Sequence, residues 1–110
     1  NDDSPVQLNM FARANGVQLT NQGVSSTAFT GIQKIAFAYK TNDFELYRNG
    51  SSISTDTSGS LASLATLTNV DFGAADIGSG SVSNANMWIR AVALFTTRLS
   101  DAECEALTTI

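Results

Sequence analysis

A chain of 110 residues with 43% hydrophobic content is long enough for one packed domain and too short for two. Charged residues make up only 15%, against roughly 25% in ordinary soluble domains, and Ser, Thr, Asn and Gly supply the missing polarity. The net charge is −4 and the six basic residues (Arg13, Lys34, Lys40, Arg48, Arg90 and Arg98) are scattered, which excludes the basic stripe that nucleic acid or anionic lipid requires.

The predicted elements run as follows. Asn1 to Pro5 reads as a linker from a longer parent chain, since it carries neither a methionine nor a signal-like segment. Val6 to Arg13 is a strand, Ala14-Asn15-Gly16 a turn, and Val17 to Gln22 the returning strand of a hairpin. Gly23 to Thr30 is small and polar, and reads as a loop or irregular edge. In Lys34 to Tyr39 the larger side chains Ile35, Phe37 and Tyr39 fall at period two on one face. The alanines of the other face leave room for a second layer to approach closely.

After the Thr41-Asn42-Asp43 turn, Phe44 to Arg48 forms a strand. Asn49-Gly50 is the strongest hairpin signal in the chain, because both residues tolerate positive φ. Ser51 to Thr55 returns, and Asp56 to Ser63 is an exposed connection. Leu64 to Phe72 is another strand, and Gly73 to Ala85 a long flexible loop with three glycines. Met87 to Phe95 is the most apolar segment, with bulk on both faces, which places it inside a sandwich. Ser100-Asp101-Ala102-Glu103 is a capping box opening a short helix over 101–108, with Leu107 and either Cys104 or Leu99 against the sheet. No apolar run approaches the roughly 20 residues of a membrane-spanning helix.

Much chemistry is absent from the residue inventory. Without histidine there is no Ser-His-Asp or Cys-His nucleophile and no imidazole zinc site. One cysteine, Cys104, excludes an internal disulfide, and its neighbours Glu103 and Glu105 disfavour a thiolate, so it reads as a packed small residue. Asp43 and Glu45 share one face of a strand, as glycosidase carboxylates do, but flank a tight turn and read as a solvated edge. Asp71 and Asp76 bracket a glycine-bearing loop and form the one weak calcium pattern, against ordinary turn chemistry; no cofactor is expected. Trp88 and Tyr47 offer flat faces for stacking on a sugar, although packing in the core is the commoner use of such rings.

Five stretches in order carry a resemblance. They are Lys34-Ile-Ala-Phe-Ala-Tyr-Lys40, Asp43-Phe-Glu-Leu-Tyr-Arg-Asn-Gly50, Thr55-Asp-Thr-Ser-Gly59, Trp88-Ile-Arg-Ala-Val-Ala-Leu-Phe95 and Arg98-Leu-Ser-Asp-Ala-Glu103. Together they resemble concanavalin A-like (laminin G-like) jelly-roll domains, most of all those near the C-termini of bacteriophage tail-fibre, tailspike and other virion proteins. The match spans Val17 to Thr108. It implies an all-β fold: an antiparallel β-sandwich (jelly roll) over residues 6–110, with one short C-terminal α-helix. Complete members of the family run longer, so some N-terminal strands are expected to be missing. The metal-binding Asp/Asn set of legume-type lectins and the acidic triplet of jelly-roll glucanases have no counterpart in this chain.

The resemblance implies a non-catalytic, extracellular virion module that recognises a carbohydrate on the bacterial surface. The expected contact regions are 51–60 and 76–86, and the candidate ligand-binding residues are Tyr47, Arg48, Asn49, Asp76, Asn84, Asn86 and Trp88. The expected partners are a surface glycan, other virion protein chains and further copies of the chain, a trimer among the options, with no nucleic acid and no membrane insertion. The alternative role is structural: capping, oligomerisation or decoration of a virion protein, in which partner chains cover exposed strand edges.

Overall fold

The computed structural model describes residues 6–14, 17–26, 31–59, 74–76, 82–84 and 88–110. These residues are mostly β, with a three-stranded antiparallel sheet and one short helix at the centre of the described part. The strands are β1 (Val6–Ala14), β2 (Val17–Ser26), β3 (Ile35–Lys40), β4 (Asp43–Arg48), β5 (Ser51–Asp56), β6 (Ala74–Asp76) and β7 (Val82–Asn84). The helix α1 spans Asp101–Thr108. Among the described residues no helix is long and apolar enough to cross a membrane.

Turn chemistry sets the central sheet, in the order β3-β4-β5. Asn49 at φ 50 and Gly50 at φ 86 form the tight connection that matches the right-handed twist of the β4–β5 hairpin. Asn42, also at positive φ (56), turns β3 into β4. Its side-chain oxygen accepts the Gly59 N–H at 3.0 Å while its own N–H donates to the Gly59 carbonyl at 2.7 Å, tying the turn to the end of β5.

The register divides the side chains cleanly. Ala36 pairs with Tyr47 and Ala38 with Glu45, so these lie on one face, while Phe37–Leu46 and Tyr39–Phe44 lie on the other. On the first face Ala38, Tyr47 and Cys104 form a small core, with Ala36 and Leu99 packed against it. The alanines therefore admit a second layer, as the sequence implies, and that layer is α1. On the second face Phe37 stacks with Tyr39 and Phe44, and Phe44 and Leu46 are fully buried. β2 contacts β5 and β4, and the buried Thr20 hydroxyl donates to the Asp56 carboxylate at 2.6 Å.

Several expectations are corrected. β2 continues past Gln22 to Ser26, into the stretch read as a loop or irregular edge from Gly23, because it has β1 as a full-length antiparallel partner. Within the loop expected over Gly73 to Ala85, β6 and β7 pair as a short antiparallel ladder, which supplies their backbone groups with partners. The strand expected over Met87 to Phe95 is not formed in residues 88–95, where Trp88, Ile89, Val92, Leu94 and Phe95 are exposed. Apolar bulk on both sides makes a buried strand only where a neighbour accepts its backbone bonds, and no described strand pairs with this segment. The strand expected over Leu64 to Phe72, and Met87, lie outside the described residues.

α1 begins where the capping box predicts and spans the expected 101–108. The Ser100 N–H donates to Glu103 Oε2 at 2.8 Å and the Glu103 N–H donates back to Ser100 Oγ at 3.3 Å. Its buried residues are Cys104 and Thr108. Leu107, expected against the sheet, is 50% exposed. Thr108 takes the inward place because its hydroxyl, donating to the Cys104 carbonyl at 2.8 Å, can also accept the Gly50 N–H at 3.1 Å.

Candidate functional site

The densest polar constellation among the described residues lies where α1 meets β4. Alternate residues of β4 point the same way, so Asp43, Glu45 and Tyr47 all face the helix. Arg98, just ahead of α1, is 11% exposed and aims one guanidinium nitrogen at three carboxylates. Nη2 lies 2.9 Å from Asp43 Oδ1, 3.1 Å from Asp101 Oδ1 and 3.5 Å from Glu45 Oε2. The Tyr47 hydroxyl donates to Asp101 Oδ1 at 2.9 Å, and the Ser52 hydroxyl donates to Glu45 Oε1.

Each perturbed ionisation in this cluster has a physical cause. Burial pushes the Tyr47 phenol far above its usual range, and its hydrogen bond to Asp101 and the nearby Glu45 carboxylate add to this, since a phenolate would face two carboxylates. The bond from Tyr47, then that from Arg98, holds the Asp101 carboxyl below the usual carboxylate range. Burial alone would lower the Arg98 value, but the bond to Asp101 and the charges of Asp43 and Asp101 outweigh it and raise the value. Burial also pushes the Cys104 thiol up, so it is a protonated, packed residue rather than a nucleophile.

This geometry corrects the solvated-edge reading for Glu45, while Asp43 stays 44% exposed beside it. Glu45 is only 15% exposed, and tertiary structure brings a third carboxylate, Asp101, beside the pair. The guanidinium stands at their centre and satisfies them in the position an acid/base pair would need for substrate. Among the described residues no group of three or more His, Cys, Asp or Glu side chains is arranged to hold a metal ion. Asp71, half of the calcium pattern, lies outside the described residues.

The expected ligand-binding residues are not gathered into one site. Tyr47 is fully buried, so neither face of its ring is open to a sugar. Arg48 donates through Nε to Gln33 Oε1 at 2.8 Å. Asn49 donates from Nδ2 to the same oxygen at 2.8 Å and accepts the Lys34 N–H at 2.9 Å, so both residues brace the hairpin against the segment before β3. Asp76 and Asn84 occupy opposite ends of the β6–β7 ladder, opposite Val82 and Ala74 respectively. Asn86 lies outside the described residues. Trp88 is 98% exposed, against the commoner core role of such a ring.

Arg98 and Asp101, the centre of the cluster, have no assigned role in the sequence reading. Their three-residue spacing at a helix entrance is a signal for an ion pair. Nothing local, however, announces that β4 lies opposite. Comparison with protein-family models, with curated proteins and with solved structures finds no match.

Proposed function

We propose that the chain is a non-catalytic β-sandwich module of virion type, as in tail fibres and tailspikes, that recognises a carbohydrate on a bacterial surface. The observation that carries this reading is Trp88, whose indole stands almost wholly in solvent. A large exposed aromatic face is costly to leave in water and suits the apolar face of a pyranose ring. The low charge and abundant hydroxyl and amide side chains favour a neutral, polyhydroxylated ligand over an ionic one. The clamping of Asp43, Glu45 and Asp101 by Arg98 supports a role in binding without hydrolysis. A three-layer arrangement, with α1 on one face of β3-β4-β5 and β2 approaching the other, is the part of the sandwich reading with structural support.

Trp88 is the sole tryptophan, so its fluorescence reports on this site alone. Titrating surface polysaccharides from candidate bacterial hosts should shift and quench the emission, and Trp88→Ala should abolish binding without changing the far-ultraviolet circular dichroism. Unchanged emission across the host's own polysaccharides refutes the proposal.

A second reading, assembly with further copies of the chain or other virion chains, is favoured by the exposed Ile89, Val92, Leu94 and Phe95 beside Trp88. Several large apolar side chains exposed close together in sequence suit a contact with another chain. Here the Trp88 emission would shift with protein concentration and without any glycan, and native mass spectrometry would show the oligomer.

A further inference from the structure

The attachment of α1 to the sheet combines little apolar contact with a concentrated polar grip. The helix has eight residues, and only Cys104 and Thr108 are buried in it. The surfaces it covers are small: Ala36, Ala38 and one side of Tyr47. A helix of this length is unstable alone in water, so it persists only while docked. At its N-terminal end the ties are the Tyr47–Asp101 hydrogen bond and the Arg98 bridges to Asp43, Glu45 and Asp101. At the other end Gly50 N–H donates to Thr108 Oγ1, and Lys34 Nζ donates to the Thr109 carbonyl at 2.9 Å. The grip is also imperfect, since the Arg98 Nε–H is buried with no acceptor among the described residues, and an unpaired buried donor is destabilising.

We propose that α1 is an acid-released latch: Tyr47, Arg98 and Asp101 hold it on the sheet at neutral pH, and protonation of Asp101 frees it while β3-β4-β5 stays folded. The groups facing the Asp101 carboxylate are Asp43, Glu45 and Tyr47 from β4, Arg98 from the preceding segment and the Cys104 thiol from α1 itself. Glu103 is turned to Ser100, and Lys34 sits at the far end of the helix. Arg98 stays cationic throughout, so acid removes the Asp101 charge that it and Tyr47 hold. The Asp101 carboxyl is held below its ordinary value, so its contribution is complete above that value, near pH 4, and is lost as pH falls through the lower folded-state value. Opening takes up one proton in that window. Release uncovers Ala36, Ala38, Tyr47 and the thiol of Cys104.

Cys104 is the only cysteine and is buried under the latch, so its accessibility reads the opening directly. The test follows its reaction with 4,4′-dithiodipyridine, which modifies thiols in acid, from pH 7 to pH 3. Amide exchange of the β4 residues is measured in parallel. The rate should rise below pH 4 by up to about tenfold per pH unit, as uptake of one proton requires, while the β4 amides remain protected. Asp101→Asn should make Cys104 reactive at pH 7 and flatten the pH dependence. Tyr47→Phe, which keeps the ion pair but removes the largest cause of the lowered Asp101 value, should raise the baseline and narrow the pH range over which the rate climbs, without flattening the climb. Glu105→Gln, on the exposed side of α1, should match the native chain. Loss of Cys104 protection only together with the β4 amides would overturn the latch, as would a native slope in Asp101→Asn or a flattened one in Glu105→Gln.

Discussion

The hydroxyl of Tyr47, on the central strand of the sheet, donates to the carboxylate of Asp101, in the first turn of the helix, at 2.9 Å. The ring packs against Ala38 and Cys104, so one residue supplies both the apolar floor under α1 and a hydrogen bond to its N-terminal turn. Tyr47→Phe keeps the floor and removes the bond. It should lower the unfolding free energy by about 1–2 kcal/mol in urea titration, the usual worth of a hydrogen bond to a charged partner. Tyr47→Ala also removes the ring and should cost about 3–5 kcal/mol.

The same residue gives the alkaline limb of stability. A phenol whose value is raised in the folded chain contributes fully below the unfolded value of about 10 and loses that contribution as pH rises beyond it. Thermal unfolding of the native chain should show Tm falling above pH 10. Tyr47→Phe should remove much of that fall.

Arg98 neutralises a site where three carboxylates converge. Arg98→Ala leaves them facing one another and should cost about 1–2 kcal/mol at pH 7, less than for a fully buried group because Asp43 and Asp101 are solvated. The penalty should shrink on acidification, since a protonated Asp101 no longer repels its neighbours. Chemical denaturation at pH 7 and pH 4 checks the sign. A penalty that grows in acid contradicts this account.

Gly50 is required twice over. Its φ of +86 is a region that L side chains rarely adopt, and a Cβ there would lie 3.1 Å from Thr109 Oγ1. Gly50→Ala should therefore destabilise by about 1–2 kcal/mol and weaken the far end of α1, seen as faster exchange of the Gly50 amide that Thr108 protects. Asn49→Gly keeps the turn but loses the bonds of Asn49 to the Lys34 amide and to Gln33, so its loss should be the smaller.

Ser100→Ala removes the hydroxyl arm of the capping box and the hydroxyl bond to Glu103, and leaves only the backbone N–H of residue 100 to donate to Glu103. Helix caps are worth about 1 kcal/mol, and the loss should appear as reduced helical circular dichroism and a lower Tm. Bonds from the Ser100 amide and hydroxyl hold the Glu103 carboxyl below its usual range. That contribution is present above the ordinary carboxylate value and disappears as pH falls, so native chain and variant should converge in acid.

What could be read without coordinates was local. Asn49-Gly50 specified its hairpin through the φ preferences of two adjacent residues, and Ser100 to Glu103 specified a helix start through bonds spanning three residues. Alternation placed Ala36 and Ala38 on one face and Phe37 and Tyr39 on the other. Asp43 and Glu45 were seen to share a face for the same reason.

Tertiary structure alone decided what those faces meet. Arg98 joins Asp43 across 55 positions and Tyr47 joins Asp101 across 54, distances over which neither periodicity nor turn chemistry carries information. Burial followed the same rule. Tyr47 and Trp88 are both aromatic residues in segments that read as strands, yet one is fully enclosed and the other almost fully exposed, because α1 and the sheet close over Tyr47 while no described element covers Trp88.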